Sequence, residues 1–109
     1  MSDTAASARL RALLGGPRDG ALLRISLANA LQSERKPDQA IAQLRRALEF
    51  DAEYSAAWKM LGAALAAQGE KAAASDAYRA GIAAAEKRGD KQALKEMQVF
   101  LRRLEKDAG

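Results

Sequence analysis

The candidate nucleophiles in this chain are its serines, Ser2, Ser7, Ser26, Ser33, Ser55 and Ser75, and no histidine stands anywhere to activate one. Ser55 with Lys59, four apart on one predicted helix, could act as a dyad only if the lysine were desolvated. Lys59 reads instead as an exposed charge or one lining a binding surface. The carboxylate pairs Glu49/Asp51 and Asp51/Glu53 fall at a predicted helix end among polar residues, where they serve solubility and turn formation. Gly15-Gly16 lacks the Gly-Lys-Ser/Thr continuation of a phosphate-cradling loop. With neither Cys nor His, a zinc finger, a disulfide framework and His-based acid–base or metal chemistry are all excluded. No cofactor and no metal are expected. The chain reads as a binding protein and not an enzyme.

Charge offers a second kind of chemistry. The net charge is +4, and residues 87–106 hold seven basic residues against three acidic ones. At 100° per residue, Lys91, Lys95, Arg102 and Lys106 fall within about 60° of one another, with Gln98 between them. A solvated helix face explains such a stripe; a contact for an acidic partner or for nucleic acid is the functional alternative. Nucleic acid is the lesser expectation, because the nearest aromatic, Phe100, belongs to the opposite, apolar side and is unavailable for base stacking. Val99 projects on the polar side near Lys106, where a core role is not open to it.

The elements that carry these residues follow from composition. Ala and Leu make up 41 of the 109 residues, and only Thr4, Ile25, Ile41, Ile82 and Val99 are β-branched. Alanine loses no side-chain entropy in a helix and β-branched residues do, so the expected class is all-α. The length fits a single domain. Apolar residues recur at helical spacing between breaks at Gly15-Gly16-Pro17, Arg35-Lys36-Pro37, 50–54, Gly69 and Gly89. Helices are predicted near 4–14, 21–33, 37–49, 55–67, 71–87 and 90–106. Asp19 and Asp90 stand where helix N-caps belong. No uncharged stretch approaches the roughly 20 apolar residues of a membrane span, so no membrane partner is expected. The N-terminal stretch 1–20 lacks the apolar region of a secretory signal. Its Ala/Ser/Arg bias resembles an organellar transit peptide, against which Asp3 and Asp19 argue. A cytoplasmic protein is the expectation.

Laying 21–54 over 55–88 places Leu27 on Leu61, Ala28 on Gly62, Ala30 on Ala64, Leu31 on Leu65, Ala40 on Ala74, Leu44 on Tyr78, Ala47 on Gly81 and Leu48 on Ile82. Small residues meet small and large apolar residues meet large, which a helical hairpin repeated once requires. Small residues at Ala28/Gly62 and Ala40/Ala74 would let the two helices of each hairpin approach closely. A 34-residue helix–turn–helix unit with Trp58, Leu61-Gly62, Leu65, Ala74, Tyr78 and Gly81 resembles a tetratricopeptide repeat. Residues 55–88 carry that pattern and 21–54 repeat it with Leu27-Ala28, Leu31, Ala40, Leu44 and Ala47. Arg24 stands where the Trp would be, and Ala52 and Glu86 replace the closing Pro. An Ala-rich bundle with a coincidental offset is the alternative.

The resemblance implies a short α-solenoid: an N-terminal helix and Gly/Pro turn over 1–20, repeats at 21–54 and 55–88, and a capping helix over 89–109. In that last helix Ala93, Leu94, Met97, Phe100, Leu101 and Leu104 share one face, which should dock on the second repeat. Leu10, Leu13 and Leu14 could cover the first repeat from the other end; an uncovered face would instead make a homodimer.

The resemblance also implies an adaptor whose concave groove, lined by the first helix of each repeat, takes a peptide or amphipathic helix of another protein. The groove positions are Leu22, Ile25, Ser26, Asn29 and Gln32 in the first repeat and Lys59, Met60 and Ala63 in the second, with Ser33, Ala56 and Ala67 beside them. Family members that clamp a peptide's terminal carboxylate use several Lys, Arg and Asn residues there. Only Asn29 and Lys59 match in kind, so an apolar segment suits the groove better. Leu22, Ile25 and Met60 would otherwise be core, packed under the N-terminal helix.

Overall fold

The computed structural model describes residues 5–108, which fold into six helices and, among those residues, no strand. Ser2, Asp3 and Thr4, the last of which opens the predicted N-terminal helix, lie outside the described residues. The chain divides into two units, Met1–Asp51 and Ala52–Gly109. The division falls inside the break predicted at 50–54.

The first unit holds α1 (Ala6–Arg11), α2 (Ala21–Ser33) and α3 (Pro37–Phe50). α2 packs against α3, burying Leu23, Leu27, Ala28 and Leu31 on one helix and Ala40, Leu44, Ala47 and Leu48 on the other. Leu27, Leu31 and Leu44 are wholly buried, each worth about 1.5–3 kcal/mol relative to an exposed leucine. The Leu31 carbonyl accepts from the Lys36 N–H at 2.9 Å, and Pro37 then occupies the first turn of α3, where its missing N–H costs nothing.

α1 is shorter than predicted. Beyond Arg11 the chain continues in tight turns, with Leu13 N–H on Leu10 O and Leu14 N–H on Arg11 O. The Asp19 carboxylate then accepts the Gly15 N–H at 2.9 Å. This also corrects the expectation for Asp19: the residue preceding α2 is Gly20, with no side-chain cap, because the Asp19 carboxylate is committed elsewhere. α1 packs on α2 with Leu10 and Leu14 half-buried, while Leu13 is exposed.

The second unit holds α4 (Ser55–Ala67), α5 (Lys71–Arg88) and α6 (Lys91–Ala108). Gly69 (φ 81°) and Gly89 (φ 73°) end α4 and α5 in the left-handed region, which glycine enters without a Cβ penalty. Asp90 caps α6 as expected, its Oδ1 accepting the Ala93 N–H at 3.1 Å. α6 docks on α5 and α4: Ala93 and Met97 join Tyr78 and Ala85 in a buried cluster, with Leu94, Phe100, Leu101 and Leu104 packed against it. The rings of Tyr78 and Phe100 lie 5.7 Å apart.

Close approach in the second unit turns on two glycines, Gly62 and Gly81. A Cβ on Gly62 would sit 2.6 Å from Cδ1 of Tyr78, so Gly62 makes room for the tyrosine ring. Gly81 does the same for its neighbours: a Cβ there would meet Met97 Sδ and lie 2.6 Å from Trp58 Cβ. Trp58 is half-buried, and its indole N–H donates to the Ala52 carbonyl at 2.8 Å.

Candidate functional site

On α2 the buried residues occupy one side, and Leu22, Ser26, Asn29 and Ser33 lie within about 60° on the other. Leu22 is 67% exposed, Asn29 and Ser33 are exposed, and Ser26 is half-buried. Gln32 is exposed near the end of this strip. Ile25 leaves the predicted set: at 7% exposure it belongs to the core, although its angle on the helix falls between those of the exposed Gln32 and Asn29.

The equivalent strip on α4, one repeat further along the chain, is Ala56, Met60, Ala63 and Ala67. Met60 is half-buried and the three alanines are exposed. Lys59 stands at the edge of this strip with its ammonium already engaged: Nζ lies 2.8 Å from Glu96 Oε1 of α6. Beside it the Ser55 hydroxyl donates to Asp90 Oδ2 at 2.8 Å. Ser55 and Lys59 therefore point to separate carboxylates and form no dyad. The Ser55 hydroxyl, followed by the Ala93 N–H, holds the Asp90 carboxyl below its ordinary range.

The largest feature that sequence reasoning missed is Arg24, at the position where the second repeat carries Trp58. It is 8% exposed. Its guanidinium forks onto Asp19, Nε to Oδ1 at 2.9 Å and Nη2 to Oδ2 at 2.8 Å, and Nη1 donates to Gln43 at 3.0 Å. Its Cζ lies 5.8 Å from the centre of the Phe50 ring, over which Arg46 also stands at 5.6 Å, a cation–π geometry. A buried guanidinium must be paired, and Asp19 supplies the charge; that bond, with the Gly15 N–H, pushes the Asp19 carboxyl far below its ordinary range. An arginine at a position where the repeat pattern asks for a large apolar ring was the available signal, five residues after an acidic one. In the same unit Glu34 accepts from both the Ser7 hydroxyl (2.6 Å) and the Ser7 N–H (3.1 Å). These two bonds hold the Glu34 carboxyl below its ordinary range.

Of the remaining predicted residues, Lys91, Lys95, Arg102 and Lys106 are all exposed along the outer face of α6. Among the described residues no helix is long and apolar enough to cross a membrane.

No protein-family model matches the chain. It is 43% identical over 97 residues to the TPR repeat-containing protein PA0015 of Pseudomonas aeruginosa, a match covering 89% of this chain and 92% of that one. The solution structure of protein BPP2914 from Bordetella parapertussis is similar with a TM-score of 0.80 and 47% identity, covering 94% of this chain and 90% of that one. The crystal structure of MamA shares the fold at a TM-score of 0.68 and 20% identity, covering 94% of this chain and 68% of that one.

Proposed function

The chain belongs to the tetratricopeptide-repeat family, and from that premise we propose that it is a protein-interaction module, without catalysis of its own, that takes a segment of a partner protein on the first-helix faces of its repeats. The observation that carries the reading is Leu22. A leucine two-thirds exposed, opposite the buried side of its own helix, lacks burial among the described residues, and Ser26 one turn on, then Asn29 and Ser33 further along the strip, supply polar groups to orient a backbone or side chain. The α4 strip of Ala56, Met60, Ala63 and Ala67 adds small and soft apolar surface at the equivalent positions. Small residues let a bound chain come close, and a methionine adapts its shape to whatever is bound. The occupant that fits is an amphipathic helix or an extended apolar segment. A terminal-carboxylate clamp fits less well, since the ammonium of Lys59 is already bonded to Glu96.

The test is site-specific photo-cross-linking in the native host. A photoreactive residue placed at position 22 or 63 should trap one polypeptide in common, and the same residue at exposed Glu86 of α5 should not. The double variant Leu22→Asp/Ala63→Glu should remove the adduct while leaving helical circular dichroism unchanged. Equal trapping from all three positions would refute the reading. An adduct consisting of a second copy of this chain would convert it to a homodimer interface. Lys59 is left unchanged in this design, because its replacement would strike the bond to Glu96.

A further inference from the structure

We infer that the outer face of α6 is a second, separate interaction surface, one that binds an acidic amphipathic segment of a partner protein with an apolar side chain seated on Val99. Two independent observations meet there. The first is charge. Glu96 and Glu105 are each taken up by a neighbouring helix, Glu96 by Lys59 at 2.8 Å and Glu105 by Arg79 at 3.1 Å. Lys91, Lys95, Arg102, Arg103 and Lys106 are exposed, and among the described residues none of them forms an ion pair. The helix thus spends two of its three acids on α4 and α5, and presents five cations outward. The third acid, Asp107, lies about 100° round the helix from Lys106 and one turn beyond Arg103, at the edge of the row.

The second observation is shape. Val99 is 39% exposed and sits among the cations: Lys95 precedes it by one helical turn, and Arg102, Arg103 and Lys106 follow. With the stems of those last three it forms a shallow depression of about 240 Å³. Arginine and lysine stems are apolar while their heads remain in water. The depression therefore has an apolar floor and a cationic rim, which matches one apolar side chain flanked by carboxylates. A nucleic acid would find phosphate contacts here but no aromatic ring on the face for base stacking, so the protein partner is the one the geometry favours. The inference is independent of the reading placed on α2 and α4.

The experiment is fluorescence anisotropy with the full chain. The probe is a fluorescein-labelled synthetic helical peptide with leucines at i, i+4 spacing flanked by glutamates. Comparison probes are the same peptide with each leucine replaced by serine, and an oligothymidylate. The acidic leucine peptide should bind, Lys95→Glu/Arg102→Glu should weaken it by ~10-fold or more, and added salt should do the same. Val99→Ser should weaken it several-fold, and the serine peptide should bind the unaltered chain comparably weakly. Leu22→Asp should change nothing. The inference is overturned by absence of saturable binding, by equal binding of the leucine and serine peptides, or by tighter binding of the oligothymidylate. The peptide-side comparison needs no protein variant, so it decides even if a substitution perturbs folding.

Discussion

Arg35 and Gly69 occupy the same turn in successive repeats, both with positive φ, 61° and 81°. The turns they make are closed by the same bond, Lys36 N–H to Leu31 O and Glu70 N–H to Leu65 O, each 2.9 Å. Only one of the two residues is suited to that backbone. A Cβ in the left-handed region costs about 1–2 kcal/mol, and replacing the residue by glycine gives back about 0.5–1 kcal/mol through the freer unfolded chain. Arg35→Gly should therefore stabilise the protein by about 0.5–1 kcal/mol, read as a rise in the urea midpoint at unchanged slope. A fall would mean that the arginine side chain holds the turn.

Gly62 faces the buried ring of Tyr78, a rigid neighbour that cannot swing aside as a flexible chain end would. Overpacking of this kind costs about 1–3 kcal/mol, against which alanine's helix propensity returns up to about 1 kcal/mol. Gly62→Ala should lower stability by about 1–2 kcal/mol in the native protein. In a Tyr78→Leu background the same substitution should be neutral or stabilising, and additive losses in that double-mutant cycle would count against the contact.

The Asp19–Arg24 pair should respond unequally to losing one member. Asp19→Ala leaves a guanidinium buried without its counter-charge, bonded to Gln43 alone, whereas Arg24→Met fills the volume with an apolar chain and leaves the Asp19 carboxylate still accepting the Gly15 N–H. Asp19→Ala should show the lower denaturation midpoint of the two. The reverse order would place the main role of Arg24 in its packing against Phe50.

Acid should destabilise the protein through Asp19, Glu34 and Asp90, whose carboxyls are all held below their ordinary values of 3.8, 4.5 and 3.8. A depressed folded-state pKa contributes stability that is complete above the unfolded value and is lost as pH falls through the folded one. Melting temperature should thus be insensitive to these groups above about pH 5 and fall below about pH 4. Asp90→Asn should flatten part of that slope by removing the group that accepts from Ser55 and Ala93. Identical slopes in the two proteins would show that Asp90 carries none of it.

Local chemistry alone determined the helices from α2 onward. Ala and Leu favour them, Gly69, Gly89 and Pro37 mark their boundaries, and Asp90 caps one; each acts through its own backbone or its nearest neighbours, so each is legible without knowing the fold. The offset between the two repeats was legible for the same reason, since repeated packing demands repeated residue sizes. The apolar face of α6 could be read as a docking face from its period. What only tertiary structure decided are the pairings between residues far apart in the chain. Lys59 could be placed near a binding face by counting, but the carboxylate that takes its ammonium is 37 residues away and is chosen by how α6 lies against α4. Gly62 announced a close approach without naming Tyr78 as its partner. Asp19 looked like a cap, because the competing ligand, Arg24, becomes available only when burial of the guanidinium makes pairing obligatory. The same competition removed Ile25 from the exposed face and left Leu22 on it. A helix's angular pattern proposes its faces, and the surface its neighbours cover decides which of them remains free.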